Sequence, residues 1–335
     1  MTLAVVGVLA ASVLLSAGPA APAQAFQLGL VSNADGGARA GKVGALGASI
    51  VRVEFRIDSP MSKLERVIGR FARHGVAVLP LAGFRGRIPT MAEARNLAAW
   101  ARAFGPSGSF WRHRSGGQLA IRDIEFGNET NQASQFGGCG FECPAFAQRA
   151  HAYALAAKAA QEAIAGPLGN PAVGLLAIGD DGGAQSPNWV NAMFQAVPDL
   201  GRRIAGWTAH PYGPHWWRML DRLIAQTRAR GAPAVPIFIT EMGIASDNGR
   251  CLSSNFGWNP CMSYGEAASA MEAELAGIQA RYGQRVSNVF IYQAFDQSPP
   301  RADSDREHYF GALTSSGAAK GAYTTAIRAL LRALR

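Results

Sequence analysis

The sequence predicts an α/β fold of the (β/α)8 type, in which eight parallel strands close into a barrel inside a ring of helices. Three observations carry that expectation. Eight short apolar runs rich in Val, Ile, Leu and Phe alternate with longer segments of helical periodicity, the rhythm of repeated βα units. The runs are apolar on both faces, as strands must be when one face fills a barrel and the other meets helices. No glycine-rich phosphate loop follows the first run, where GLVSNADGG stands, so a doubly wound open sheet is the weaker alternative.

In chain order the runs are FQLGLVSN (26 to 33), SIVRVEFRI (49 to 57), VAVLPLAGF (76 to 84) and IRDIEFGNE (121 to 129). PAVGLLAIG (171 to 179), IAGWTAHPY (204 to 212), PIFITEMGI (236 to 244) and SNVFIYQAF (287 to 295) complete the set. Each intervening stretch holds a candidate helix. MSKLERVIGRFARHG (61 to 75), AEARNLAAWARAFG (92 to 105) and YGEAASAMEAELAGIQARYG (264 to 283) end on glycine, which predicts left-handed caps at Gly75, Gly105 and Gly283.

The chain of 335 residues is 48% hydrophobic and 16% charged, a balance that excludes a disordered protein and suits a globular one. No linker or low-complexity tract divides it, so residues 26 to 335 read as a single domain. Residues 1 to 25 form an apolar stretch that exits through small residues to Ala23-Gln24-Ala25, the layout of a secretory signal peptide cleaved after Ala25. No Lys or Arg precedes the apolar core; an uncleaved membrane anchor is the rival reading. The expected product is secreted, extracellular or associated with the cell envelope, monomeric and without stable membrane insertion.

Export makes the cysteines readable. Cys139 with Cys143, and Cys251 with Cys261, each lie in one short segment, so two local disulfides are the simplest of three connectivities, with a zinc site as the alternative. The net charge of +9 invites a nucleic-acid partner, yet the basic residues are scattered and form no stripe, so none is expected; solvated charges in a composition rich in Ala, Gly and Arg are the favoured reading, and long-range attraction to an acidic wall or polysaccharide is the alternative.

In a (β/α)8 barrel, chemistry belongs at the C-terminal ends of the strands. The polar residues there are Asn33 and Asp35, Arg56 and Asp58, Arg85, Asn128 and Glu129, Asp180 and Asp181, His210 and Tyr212, Glu241, then Tyr292, Gln293 and Asp296. Two glutamates stand out. Glu129 ends the fourth run and Glu241 the seventh, 112 positions later. Three units of about 39 residues each would separate them by roughly 116, and in a closed barrel those strands face one another across the mouth. Opposed carboxyls are the minimum equipment for cleaving a glycosidic bond, one giving a proton to the leaving oxygen while the other attacks or stabilises the cationic centre. A separation of about 5 to 5.5 Å would mean retention and about 6.5 to 9.5 Å inversion.

GNE on the fourth run, HPY on the sixth and ITEMG on the seventh together resemble the retaining glycoside hydrolases of clan A, the (β/α)8 group that includes many cellulases, mannanases and xylosidases. The resemblance implies Glu129 as general acid/base, Glu241 as nucleophile and Asn128 as a contact to the sugar 2-hydroxyl. It also implies that Tyr212, from the His210-x-Tyr212 element, bonds the nucleophile, and that Arg52 lies near it. The segment HYFGALTSSGAAKGAY is similar to the one that closes many such barrels. Two positions depart from the pattern: IYQAFDQ stands where many members carry a strand-eight tryptophan, and no histidine follows the third run.

Single residues admit structural readings as well. Glu125 shares its strand face with Glu129 but sits below the mouth, which suggests a buried pair with an arginine. Asn128 and Glu129 are adjacent and would point to opposite faces of a regular strand, so both serve one cleft only if the strand end bends. Asp180 and Asp181 read better as caps of the following helix than as cleft residues. Among the aromatics Trp207, Tyr212, Trp216, Trp217, Phe256, Trp258 and Tyr292, sugar stacking is expected of Trp258 above all, with Tyr212 and Tyr292 at the mouth. The expected activity is hydrolysis of a β-linked wall or extracellular glycan by double displacement, with no metal and no organic cofactor. A transglycosidase and a non-catalytic carbohydrate-binding barrel are the alternatives.

Overall fold

The computed structural model describes residues 26–33, 38–84, 86–132, 144–182, 188–232, 234–254, 259–297 and 305–334. The proposed leader, Asp35, Arg85, Cys139, Cys143, Phe256 and Trp258 lie outside the described residues. All eight runs form strands: β1 Gln27–Val31, β2 Ile50–Arg56, β3 Ala77–Gly83, β4 Asp123–Phe126, β5 Gly174–Asp180, β6 Gly206–Ala209, β7 Ile237–Met242 and β8 Val286–Ile291. They are parallel and close in sequence order, with β8 pairing back onto β1 through Leu28 and Val289. The helices are α1 Ala40–Leu46, α2 Met61–Ala72, α3 Met91–Arg95, α4 Leu97–Phe104, α5 Pro144–Ala165, α6 Trp189–Ala196, α7 Leu200–Arg203, α8 Trp216–Ala229, α9 Tyr264–Tyr282 and α10 Gly321–Ala333.

The register explains how apolar strands come to carry a polar mouth. Inward positions are filled by Val31, Leu79, Leu176 and Phe238, one from each of β1, β3, β5 and β7, together with Phe290. This is the layered filling expected of a closed barrel. Arg52 pairs in register with Leu79, and Glu125 with Leu81 and Leu176, so both charged side chains share that inward face. Outward residues such as Val51, Val53, Ile124, Leu175 and Ile237 belong to the larger core between strands and helices.

Two helix expectations need correction. The segment from 92 to 105 is two helices, because α3 starts in a capping box between Thr90 and Glu93 and stops before Asn96. Gly105 is extended at φ −68 and ψ 178, not left-handed: α4 closes with the Gly105 N–H on the carbonyl of Ala101 and the chain leaves directly. Gly75 and Gly283 do take positive φ, at 72 and 45. Among the described residues no helix is long and apolar enough to cross a membrane.

Candidate active site

The strand ends converge on a cleft of about 670 Å³ lined by Arg52, Asn128, Glu129, Asp181, His210, Tyr212, Glu241 and Tyr292, among others. The described residues that the resemblance and the aromatic reading assigned to the site are therefore on its wall, whereas Arg56, Asp58, Asp180 and Asp296, also at strand ends, do not line it and form ion pairs instead. Glu129 gets there by a turn. β4 stops at Phe126, Gly127 follows at φ 83 and Glu129 itself is left-handed at φ 46. That bend places the adjacent Asn128 and Glu129 in one cleft, which a regular strand would not. The Glu129 N–H donates to Asp181 Oδ2 at 3.1 Å, which ties the turn to the end of β5.

Arg52 organises the other side. Its Nε and Nη2 donate to Glu125 at 2.5 and 3.0 Å, Nη2 also to Asn128 Oδ1 at 2.7 Å, and Nη1 to Glu241 Oε1 at 2.5 Å. The arginine partner expected for Glu125 is thus the same residue that reaches Glu241. Burial opposes a charged guanidinium, but Glu125 and Glu241 outweigh it and raise the Arg52 pKa. Tyr212 donates to Glu241 Oε2 at 3.1 Å, so each Glu241 oxygen has its own donor. Burial would raise the Glu241 pKa; the cations His210 and Arg52 and the hydrogen bonds from Arg52 and Tyr212 win, holding it below the usual carboxylate value.

His210, wholly buried, lies between the two glutamates. Its Nδ1 is 3.2 Å from Glu129 Oε1 and 3.8 Å from Glu241 Oε2, while Nε2 meets Thr240 Oγ1 at 3.1 Å. Burial alone would lower its pKa, but Asp181, Glu241 and the Glu129 hydrogen bond push it up to about 9. Burial raises Asp181 to about 7 against the pull of His210. One oxygen each of Glu129 and Glu241, and a ring nitrogen of His210, lie within 4.8 Å of one another. Such a trio can hold a divalent cation elsewhere. Here both Glu241 oxygens already accept from Arg52 and Tyr212, and the adjacent guanidinium repels a metal, so the donor set fits carboxylate chemistry better.

The cap reading of the aspartates is overturned. Asp180 pairs with Arg222 of α8 and accepts from the Gly182 N–H, and Asp181 is a buried wall residue that accepts from Thr208 at 3.1 Å. α6 instead begins at Asn188 with no side-chain cap bond. The aromatics divide. Tyr212 and Tyr292 line the cleft and pack edgewise on Phe310, whereas Trp207 is buried against Phe194, and Trp216 and Trp217 pack on each other outside it. Cys251 and Cys261 are disulfide-bonded, as their spacing suggested. Glu54, Gln297, Glu307 and Phe310 also line the cleft, and sequence reasoning passed them over. Glu54 shares the inward parity of Arg52, a usable signal; Glu307 lies beyond β8 in a turn that no strand periodicity reaches.

No family model matches the sequence, and no curated protein matches it. Solved structures do. One of fungal β-1,4-galactanases superposes with a TM-score of 0.58 at 12% identity, covering 90% of this chain and 94% of that one. A GH10 endoxylanase retrieved from a sugarcane soil metagenome gives 0.55 at 12% identity over 92% and 97%. A calcium-binding mutant of Bacteroides uniformis β-glucuronidase 2 gives 0.60 at 12% identity over 90% of this chain and 34% of that one. The chain spans about a third of the β-glucuronidase's length. At these identities the likeness is one of fold, the (β/α)8 barrel.

Proposed function

We propose that the protein is a retaining glycoside hydrolase acting on a β-linked glycan, with Glu241 as nucleophile and Glu129 as acid/base. The observation that carries this reading is the approach of the two carboxyls: one oxygen of Glu129 and one of Glu241 lie within 4.8 Å of each other across the mouth. So close an approach supports the about 5 to 5.5 Å carboxyl separation of double displacement over the about 6.5 to 9.5 Å of inversion. The superposed galactanase and endoxylanase carry names consistent with it.

Electrostatics supports the division of roles. Glu241 is held as an anion by Arg52 and Tyr212 on opposite oxygens, so it is ionised and aimed at the anomeric carbon. Burial and the neighbouring Glu241 carboxylate keep the Tyr212 hydroxyl protonated, hence a donor. Glu129 delivers its proton to the leaving oxygen as Glu241 forms the glycosyl ester; it then takes a proton from the water that releases the sugar. His210, bonded to Glu129 and fixed by Thr240, orients that carboxyl. Because Asn128 Oδ1 accepts from Arg52, its Nδ2 is left to donate to a sugar hydroxyl. Export with cleavage after Ala25 belongs to the same reading, and the Cys251–Cys261 disulfide supports an oxidising compartment.

The test is a panel of plant, fungal and bacterial wall glycans. On the glycan cleaved, proton NMR should show the first product with the substrate's anomeric configuration, and Glu241→Gln should abolish turnover without unfolding the protein. An inverted first product would end the proposal, as would normal turnover by the variant. Transfer to an added acceptor sugar in preference to water would identify a transglycosidase instead.

A further inference from the structure

One carboxylate on the cleft wall has no part in double displacement. Glu307, 9% exposed, sits in a 3₁₀ turn over Arg306–Tyr309 and lines the same cleft as Glu129 and Glu241. Its Oε1 accepts from Asn259 Nδ2 at 2.6 Å and Ser254 Oγ at 3.0 Å. Both donors are neutral, so they fix the carboxylate without neutralising it. Arg306 donates instead to the carbonyls of Asn259 and Leu252 and pairs with Asp247. The Asp305 carboxylate accepts the Glu307 N–H at 2.9 Å. Ser254 and Asn259 both lie within the loop that the Cys251–Cys261 bond closes. Two loops are thus clamped together to present one side chain.

The charge around it is one-sided. The described wall carries the carboxyls of Glu54, Glu129, Asp181, Glu241 and Glu307 against two cations, Arg52 and His210, and both His210 ring nitrogens are engaged by Glu129 and Thr240. Four of the five Arg52 N–H donors are spent on Glu125, Asn128 and Glu241, and its charge is matched by the two glutamates, so it offers little to a substrate anion. Two further atoms point to a hydroxyl-rich ligand. Ser32, 3% exposed, and Gln293 are cleft-lining residues whose buried Oγ and Nε2 have no hydrogen-bond partner among the described residues. A buried polar group left unpaired is costly, and a sugar hydroxyl could supply the missing partner.

We propose that Glu307 grips the substrate by accepting a hydrogen bond from a hydroxyl or ammonium group, so that the cleft takes neutral or amino sugars and rejects sugar acids. The net charge of +9 points the other way, and the local wall overrides it because exposed charges beyond about 8–10 Å are screened at physiological salt. The inference rests on the glycosidase reading for its ligand being a carbohydrate.

Calorimetry on the Glu241→Gln protein, with β-linked gluco, galacto and manno oligosaccharides each in neutral, 2-amino and 6-carboxyl form, tests it. In every series that binds, the neutral or amino form should bind at least tenfold more tightly than the acid. Adding Glu307→Gln should weaken that binding at least tenfold and remove any advantage of amine over hydroxyl. Equal or tighter binding of the acid overturns the inference, as does binding of no form or indifference to Glu307→Gln. Should the double variant fail to fold in a thermal melt, the ranking of the three forms by the protein that retains Glu307 still decides. Binding intact in the parent protein with no cleavage would sink the hydrolytic reading alone.

Discussion

Single side chains set the charge state of the mouth, and Tyr212 and Asp181 show how. The Tyr212 hydroxyl bonds Glu241 Oε2 at 3.1 Å, and a hydrogen bond to a charged group is worth about 1.5–3 kcal/mol. Tyr212→Phe should therefore lower kcat/KM by roughly ten- to a hundredfold, with a melting temperature near that of the parent. Steady-state kinetics beside a thermal melt checks both halves. Asp181 and His210 make stability depend on pH. Both pKa values are raised by folding, to about 7 and about 9, so the folded state holds more protons than the unfolded one between the unfolded and folded values. Stability should then fall as pH rises, first as Asp181 ionises on the way to about 7 and then as His210 loses its proton on the way to about 9. Glu241, with its pKa lowered, acts at the acid end, where protonating it removes stability. Asp181→Asn deletes the largest influence raising His210, so the upper part of the decline should move to lower pH. Melting temperatures from pH 6 to pH 10 would show it; an unmoved decline would mean that Asp181 does not govern His210.

At the scale of elements, the turn after β4 separates stability from function within three residues. Gly127, at φ 83, has no room for a side chain, since an added Cβ would lie 2.6 Å from Thr130 Oγ1 and 2.7 Å from the Phe84 ring. Gly127→Ala should cost about 2–4 kcal/mol, the sum of left-handed strain and overpacking. Glu129 is left-handed too, at φ 46, but carries a side chain in spite of the strain. Glu129→Gly would relieve about 1–2 kcal/mol while losing the bond to His210, and should stay within about 1 kcal/mol of the parent with no activity. Urea midpoints with an activity assay separate the two; a Glu129→Gly protein as unstable as Gly127→Ala would contradict the strain argument. The same turn marks the limit of what periodicity reveals. All eight strands were legible because parallel strands buried on both faces read as plain apolar runs; Glu125 was placed by strand parity, His210 and Glu241 by their position at strand ends, and Arg52 only by the resemblance. Asp181 was mistaken for a cap because a carboxyl just beyond a strand looks alike whether it meets a helix N-terminus or a backbone N–H across the cleft. That Asn128 and Glu129 share one cleft depends on two positive φ angles, which no side-chain pattern encodes.

For the molecule as a whole, the barrel fixes the glutamates, while loops added to it shape what they meet. Arg52, His210, Tyr212 and Glu241 come from strands or from residues directly beyond them, so their geometry is set by a core that melts only with the entire fold. Glu307 is different: it belongs to a turn outside the barrel, clamped to the Cys251–Cys261 loop through Ser254, Asn259 and Arg306. This division predicts what breaking the disulfide should do. A closed loop with a separation of 10 residues restricts the unfolded chain by about 3 kcal/mol in the loop-entropy model, and the native barrel does not need it to close. Replacing Cys251 and Cys261 by Ser should therefore lower stability by up to about 3 kcal/mol and leave the strands intact by far-ultraviolet circular dichroism. Kinetically the loss should fall on KM, since loosening Ser254 and Asn259 frees Glu307 while both oxygens of Glu241 keep their donors. A fall in kcat with KM unchanged would show instead that the loop bears on the two glutamates proposed as the catalytic pair, and that the barrel alone does not hold Glu129 and Glu241 in register.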